Sequence, residues 1–141
     1  MISTRGRYAL RVMIDLAEHY HGGYVPLKDV AERQELSLKY IERILPELTR
    51  GGCVEGQHGR GGGYRLCRSP EDTTVWEILC LTEGDLAPVT CLESGARPCA
   101  RAPECRTLPL WQGFYELTER YFRGVTLADL IGLPAADNYV I

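Results

Sequence analysis

The 141-residue sequence contains no apolar run of the ~18 residues that a membrane-spanning helix needs, so no membrane span is expected. Its first residues, Met1-Ile2-Ser3-Thr4-Arg5-Gly6-Arg7, lack the apolar core and the cleavage site of a secretory signal. A cytoplasmic protein is predicted, and with it a reducing setting for the six cysteines. No serine elbow is present and no cysteine has an evident histidine partner, so no residue constellation favours an enzyme. The paired Cys-x2-Cys clips of a zinc ribbon are missing as well. Net positive charge is also lacking: the formal value is -3, which taken alone argues against a nucleic-acid partner. What remains is a globular balance, 45% hydrophobic and 25% charged, in a length that fits one domain with an appended arm.

The charge distribution reverses the last exclusion. Residues 1–70 carry eleven Lys/Arg against eight Asp/Glu (+3), and residues 71–141 carry five against eleven (-6). Such asymmetry is expected when one half of a chain faces phosphate.

Between Thr4 and about Tyr20, Tyr8, Leu10, Val12, Met13, Leu16 and Ala17 recur at helical spacing. Arg5, Arg7 and Arg11 crowd the early turns, where the helix dipole prefers acids; compensation by an external anion and ordinary solvated arginines are the two readings. The stretch His21-Gly22-Gly23-Tyr24-Val25-Pro26 breaks the helix and is compatible with one short strand. Residues 27–34 then read as a helix of about two turns, bearing Lys28. After the connection Glu35-Leu36, Ser37 is a natural N-cap for a helix over residues 38–50. Ile41, Ile44, Leu45 and Leu48 form its buried stripe, and Lys39, Tyr40, Glu42 and Arg43 its outer face. Pro46 should thin or kink it near its end. Two short helices with a tight turn, the second capped and polar outside, describe a helix-turn-helix.

The segment after this helix sharpens that reading. Cys53-Val54-Glu55 and Tyr64-Arg65-Leu66-Cys67 are short strand candidates flanking Gly56-Gln57-His58-Gly59-Arg60-Gly61-Gly62-Gly63. A hairpin directly after a recognition helix is a wing. Its glycines, Gly61 and Gly62 among them, would let the backbone approach a phosphate or a minor groove, with His58 and Arg60 as contacts. A nucleotide-binding loop is disfavoured because no P-loop Lys-Ser/Thr comes after it.

Ser69 to Thr73 opens another helix carrying Val75, Trp76, Ile78 and Leu79, and residues 84–109, rich in Gly, Pro and Cys, read as loop. Leu110, Trp111, Phe114, Leu117, Tyr121 and Phe122 then recur every three or four residues, more aromatic surface than a small winged helix can cover. A partner copy is therefore expected on this helix. Thr126 caps a last short helix, and residues 133–141 form a tail. The expected fold is mainly α with a small β-hairpin. A winged helix-turn-helix domain (1–82) precedes a cysteine-containing sensor loop (83–107), then a long dimerisation helix with the short final helix (108–132).

Cys91, Cys99 and Cys105 lie in the loop at spacings Cys-x7-Cys and Cys-x5-Cys, punctuated by Gly95, Pro98 and Pro103. Three soft ligands on such a loop suit a metal or an iron–sulfur cluster, whose ligand envelope is wider than that of one zinc ion. Both need a fourth ligand, for which Glu93, Glu104, His19, His21, His58, Cys80 and an outside ligand are candidates. Free thiols or a reversible disulfide are the alternative. Cys53, Cys67 and Cys80, beside apolar residues, read as small buried hydrophobes.

These residues together resemble the Rrf-type winged helix-turn-helix transcriptional regulators (IscR/NsrR/CymR-like). The likeness covers about residues 1–132. It rests on Ser3-Thr4-Arg5-Gly6-Arg7-Tyr8-Ala9-Leu10, Ser37-Leu38-Lys39-Tyr40-Ile41-Glu42, Gly61-Gly62-Gly63-Tyr64-Arg65-Leu66, the spaced cysteines and Val125-Thr126-Leu127-Ala128-Asp129-Leu130. The resemblance implies a homodimer on double-stranded operator DNA, joined through the long helix and controlled by a 2Fe–2S or 4Fe–4S cluster on Cys91, Cys99 and Cys105. Glu42 matches a residue that discriminates between operators, Lys39 and Arg43 flank it, and the wing tip enters the minor groove. Two departures leave the fourth ligand unassigned. Leu108 stands three residues after the last cysteine, where cluster regulators often carry histidine, and Arg7 stands where NsrR-like proteins draw a carboxylate. Control of the same dimer by thiol oxidation, zinc or a regulatory protein partner stays open, as does an iron–sulfur carrier or electron-transfer role.

Overall fold

The structure, a computed structural model, describes residues 1–133. Its first helix, α1 (Thr4–Glu18), starts where Ser3 Oγ accepts the Gly6 amide at 3.4 Å. Ala9, Val12, Met13 and Leu16 recur at helical spacing and are all buried. A 3₁₀ turn, Tyr20–Gly22, and Gly23 at φ 81° turn the chain back toward the hairpin. There Val25 exchanges two backbone hydrogen bonds with Tyr64, at 2.8 and 2.9 Å. The short strand expected near residue 25 is thus a single bridge added to the wing.

Helix α2 (Leu27–Gln34) ends at Glu35 in the left-handed conformation, φ 53°, and Ser37 caps α3 (Leu38–Arg50) by accepting the Tyr40 amide. Pro46 lies inside α3 and leaves the Glu42 carbonyl without its helical donor. Strands β1 (Val54–Gln57) and β2 (Gly63–Leu66) pair antiparallel, with Val54 opposite Leu66 and Gln57 opposite Gly63. The next helix begins later than the sequence pattern suggests. Residues 70–72 make only a 3₁₀ turn, and α4 (Val75–Glu83) starts at a reciprocal capping box between Thr74 and Glu77.

The loop after α4 is not featureless. It folds through 3₁₀ turns at Thr90–Leu92 and Ala102–Glu104, and Asp85 fixes its course by accepting the amides of Ala87 (2.8 Å) and Ser94 (2.7 Å). Pro109, read with the loop from its composition, serves instead as a first-turn residue of α5 (Leu108–Arg123). Helix α6 (Leu127–Gly132) opens on a second capping box, Thr126 with Asp129, and backbone bonds from Val75 to Val125 and from Leu127 to Thr73 tie it to the start of α4. The expected tail lies, apart from Leu133, outside the described residues.

One core joins α1, α2, α3, the hairpin, α4 and α6 around Met13, Leu16, Ile41, Leu45, Leu48, Ile78 and Leu127. Burial of each such side chain contributes roughly 2 kcal/mol. Among the described residues one carboxylate is buried in it: Asp15 accepts from Arg33 Nε (3.0 Å), an Arg33 terminal nitrogen (2.7 Å) and Gln34 Nε2 (3.0 Å), clamping α1 to α2. Helix α5 buries no residue completely. Trp76 of α4 lies 6.2 Å, ring to ring, from Tyr115, and Arg123 sits 5.2 Å over the Trp76 ring. The opposite side of α5 leaves Leu117 61% and Tyr121 68% exposed. No described helix is long and apolar enough to cross a membrane.

Candidate nucleic-acid interface and cysteine pocket

The residues expected to meet DNA fall on α1, α2, α3 and the wing. Lys39, Glu42 and Arg43 are exposed on α3, Ser37 at its N-cap, Lys28 on α2 and Arg7 on α1. The N-terminus of α3 adds the partial positive charge of unpaired amides. In the wing, His58, Arg60 and Gly61 are exposed and Gly62 is half-buried. Gly56, Gln57, His58 and Tyr64 of the hairpin share a groove of about 210 Å³ with Thr49 of α3, so helix and wing stand side by side.

Two of these residues have internal duties. Tyr40 packs edge-on against Tyr8 of α1, ring centroids 5.4 Å apart, and is half-buried. Arg5 ion-pairs with Glu47 and donates to the Arg43 carbonyl on α3. The anion that answers Arg5 at the start of α1 is therefore inside the protein. Arg11 likewise donates to the Gln34 carbonyl and covers the Tyr8 ring. Among the three arginines Arg7, exposed and bonded to Thr4 Oγ1 at 3.0 Å, is the one with no hydrogen bond to another helix among the described residues.

The wing glycines also answer to the fold before any ligand. Gly59 and Gly61 have φ of 91° and 71°, and a Cβ on Gly62 or Gly63 would collide with the carbonyls of Gln57 or Val25. Only glycine permits that closeness of Val25 to the wing.

In the loop, Cys91, Cys99 and Cys105 line one pocket of about 180 Å³, closed on one side by Leu108 and Gln112 of α5. Among the described residues no three Cys, His, Asp or Glu side chains converge as a cage for a single metal ion. Cys105 is the chemically prepared member. Thr107 Oγ1 lies 3.4 Å from its sulfur, and that hydroxyl, the Thr107 and Leu108 amides at the head of α5 and nearby Arg101 hold its thiol below the usual range. A thiolate is the ligating form, so the start of α5 favours ligation at this sulfur.

The fourth-ligand candidates sit elsewhere. His19 donates to the Asp15 carbonyl at 2.7 Å, His58 is on the wing, and Glu93, Glu104 and His21 do not border the pocket. Cys80 lines a separate cavity of about 300 Å³ with Cys53, Trp76 and Glu77. Cys53 is buried as expected, and burial pushes its thiol up although Arg68 Nη2 lies 3.8 Å from the sulfur. Cys67 departs from expectation: it is exposed, because its amide continues the hairpin pairing to the Cys53 carbonyl (3.0 Å) and strand alternation after buried Leu66 turns its side chain outward. Cys80 is half-buried.

Comparison with known proteins gives this arrangement a context. The family model described as "Rrf2: Iron-dependent Transcriptional regulator" matches residues 2–132. The HTH-type transcriptional regulator IscR of Erwinia tasmaniensis is 33% identical over 130 residues, covering 92% of this chain and 78% of that protein. IscR of Aliivibrio salmonicida is 32% identical over 99% of this chain and 79% of its own length. Among solved structures, CymR, the global cysteine regulator of B. subtilis, superposes with a TM-score of 0.75 at 32% identity, covering 93% of this chain and 95% of CymR. T. potens IscR gives 0.74 at 30% identity over the whole chain and 93% of its own. These relatives and structural neighbours are transcriptional regulators and not enzymes. The helix-turn-helix, the wing and the near full-length match lead to one conclusion: the chain belongs to the Rrf2 family of winged-helix transcriptional regulators.

Proposed function

We infer that this regulator binds operator DNA as a homodimer and adjusts its affinity through an iron–sulfur cluster held by Cys91, Cys99 and Cys105. One observation carries the reading: three cysteines spread over fifteen residues of loop line a single pocket against the head of α5. Three soft thiol ligands at spacings Cys-x7-Cys and Cys-x5-Cys suit a cluster, whose ligand envelope is wider than that of one ion. A bound cluster supplies a centre whose integrity depends on iron supply, redox state or nitric oxide.

The protein's own residues give that centre a route to DNA. The loop leaves α4 directly after Glu83, whose Oε1 accepts both the Ser3 amide and the Ser3 hydroxyl at 2.8 Å. Ser3 caps α1, and Arg5, two residues on, pairs with Glu47 of α3. A shift of the loop is thus felt at the helix that would read bases. In this reading Lys28, Ser37, Lys39, Arg43 and Arg7 meet phosphates, Tyr40 supports them from its packing on Tyr8, and Glu42 selects bases. His58, Arg60, Gly61 and Gly62 bring the wing to a minor groove, and Arg5 acts by holding α1 to α3.

The test is DNA binding by protein purified without oxygen, before and after the cluster is stripped with a chelator, with DNA selected from a random pool. An affinity change of tenfold or more, absent in a Cys91→Ala/Cys99→Ala/Cys105→Ala variant, is the expected result. Identical affinity in both forms counts against cluster control. Salt separates this reading from an electron-transfer protein, because phosphate contacts make affinity fall steeply with ionic strength.

A further inference from the structure

We propose that the side-chain carboxamide of Gln112 is the fourth protein ligand of the cluster. This rests on the reading of the cysteine pocket as a cluster site.

Besides its three thiols, the pocket is lined by hydrocarbon side chains and one polar side chain, Gln112. The acids and histidines that the sequence offered for the fourth position all lie outside that lining. Leu108, three residues beyond Cys105, cannot ligate. One turn later on the same strip of α5, at the i+4 position, stands Gln112.

Helix geometry then sets the direction of reach. Cα–Cβ bonds tilt toward a helix N-terminus, so a long side chain covers the turn before its own Cα. A side chain as long as Gln112's can therefore reach back over Leu108 toward the head of α5, where Cys105 meets Thr107. Its carboxamide oxygen covers a distance that a shorter side chain at the same position would not.

The same geometry keeps Gln112 available. At about 3.6 residues per turn, Leu110, Phe114, Leu117 and Tyr121 lie on the side of α5 opposite Leu108 and Gln112. Tyr115, one turn past Gln112, faces Trp76 of α4. A partner covering the apolar face of α5 would leave Gln112 facing the loop.

The chemistry differs from a fourth cysteine in a definite way. A neutral carboxamide oxygen is a harder and weaker donor to iron than a thiolate, and it adds no charge. One iron of the cluster would then carry an oxygen ligand and be the first to leave.

The experiment is anaerobic reconstitution with ⁵⁷Fe of the full chain and of Gln112→Ala, Gln112→Glu and Gln112→Cys. Mössbauer spectra, iron and sulfide content, and the rate of iron loss to a chelator are read for each. In the wild type, one iron should show an oxygen ligand in place of one thiolate beside its sulfides. Gln112→Ala should alter that site and speed its loss on the order of 10-fold or more. Gln112→Glu should keep an oxygen-ligated iron, and Gln112→Cys should convert it to sulfur ligation and slow its loss. Unchanged spectra and loss rates in Gln112→Ala would overturn this assignment while leaving the three-cysteine site intact. Failure of the wild type to take up iron and sulfide would overturn both. Circular dichroism of each variant identifies misfolding, and Gln112→Glu and Gln112→Cys carry the test if Gln112→Ala is lost to it.

Discussion

At Asp15 a charged group survives in the core because three donors from α2 surround it. The carboxylate is fully buried while Arg33 stays 39% exposed, so the pair matters chiefly through what its loss would leave behind. We expect Arg33→Ala to lower stability by about 2 kcal/mol, read from the urea midpoint. A midpoint equal to the wild type's would remove the clamp from the account. A second carboxylate makes a prediction against pH. Burial pushes Glu77 up, but the Thr74 amide and the Arg68 guanidinium outweigh it and hold the group below its usual range. A carboxyl depressed in the folded state contributes fully above its unfolded value, and that contribution is lost as pH falls through the folded value. The stability gap between wild type and Glu77→Gln should accordingly be widest near neutrality and close on acidification. A gap that widens in acid would have the wrong sign.

At the scale of elements, the proposed DNA contacts divide between the wing and α3. A Cβ on Gly63, at φ 148° and against the Val25 carbonyl, would separate the wing from the Val25 bridge. Gly63→Ala should therefore weaken DNA binding and lower the melting temperature while leaving helical circular dichroism nearly intact. Arg60→Ala should weaken binding to selected and unrelated DNA alike, since a wing contact is mainly positional. Glu42→Ala should instead change sequence preference more than overall affinity, because a carboxylate repels phosphate and can accept from a cytosine amino group. Binding to a randomised pool separates the two: a uniform loss for Glu42→Ala contradicts base selection.

How legible these elements were depended on whether the cause was local. Ser37 as a cap, the stripe Ile41-Ile44-Leu45-Leu48 and the Gly-rich turn are local signals, and the structure bears them out. The pairing of Arg5 with Glu47 and the bridge from Val25 to Tyr64 join residues some forty apart, and no periodicity announces them. The Thr74/Glu77 capping box is readable in principle, as a threonine with glutamate three residues later, but the Pro70 turn just before it draws the expected helix start too early. At the candidate site the three cysteines are plain from composition. Gln112 is not, since a lone glutamine becomes distinctive only when the loop folds back onto α5.

For the whole molecule the decisive feature is the unpartnered face of α5. Leu110, Phe114, Leu117 and Tyr121 lie along one side of a helix that buries no residue completely against its own chain. We expect Leu117→Glu to give a monomer by light scattering and to reduce affinity for DNA, since two half-sites can no longer be held together. A dimer that persists unchanged would place the interface elsewhere.

The cysteine loop connects that helix to the DNA-reading part through Asp85, Glu83 and Ser3. Occupancy of the pocket is therefore the central claim. Its most direct measurement is the visible absorption, with iron and sulfide content, of protein purified without oxygen beside the variant in which Cys91, Cys99 and Cys105 are alanine. The account predicts a coloured wild type containing iron and sulfide and a colourless triple variant. A colourless, iron-free wild type that resists reconstitution, or equal iron and sulfide in both proteins, would contradict it.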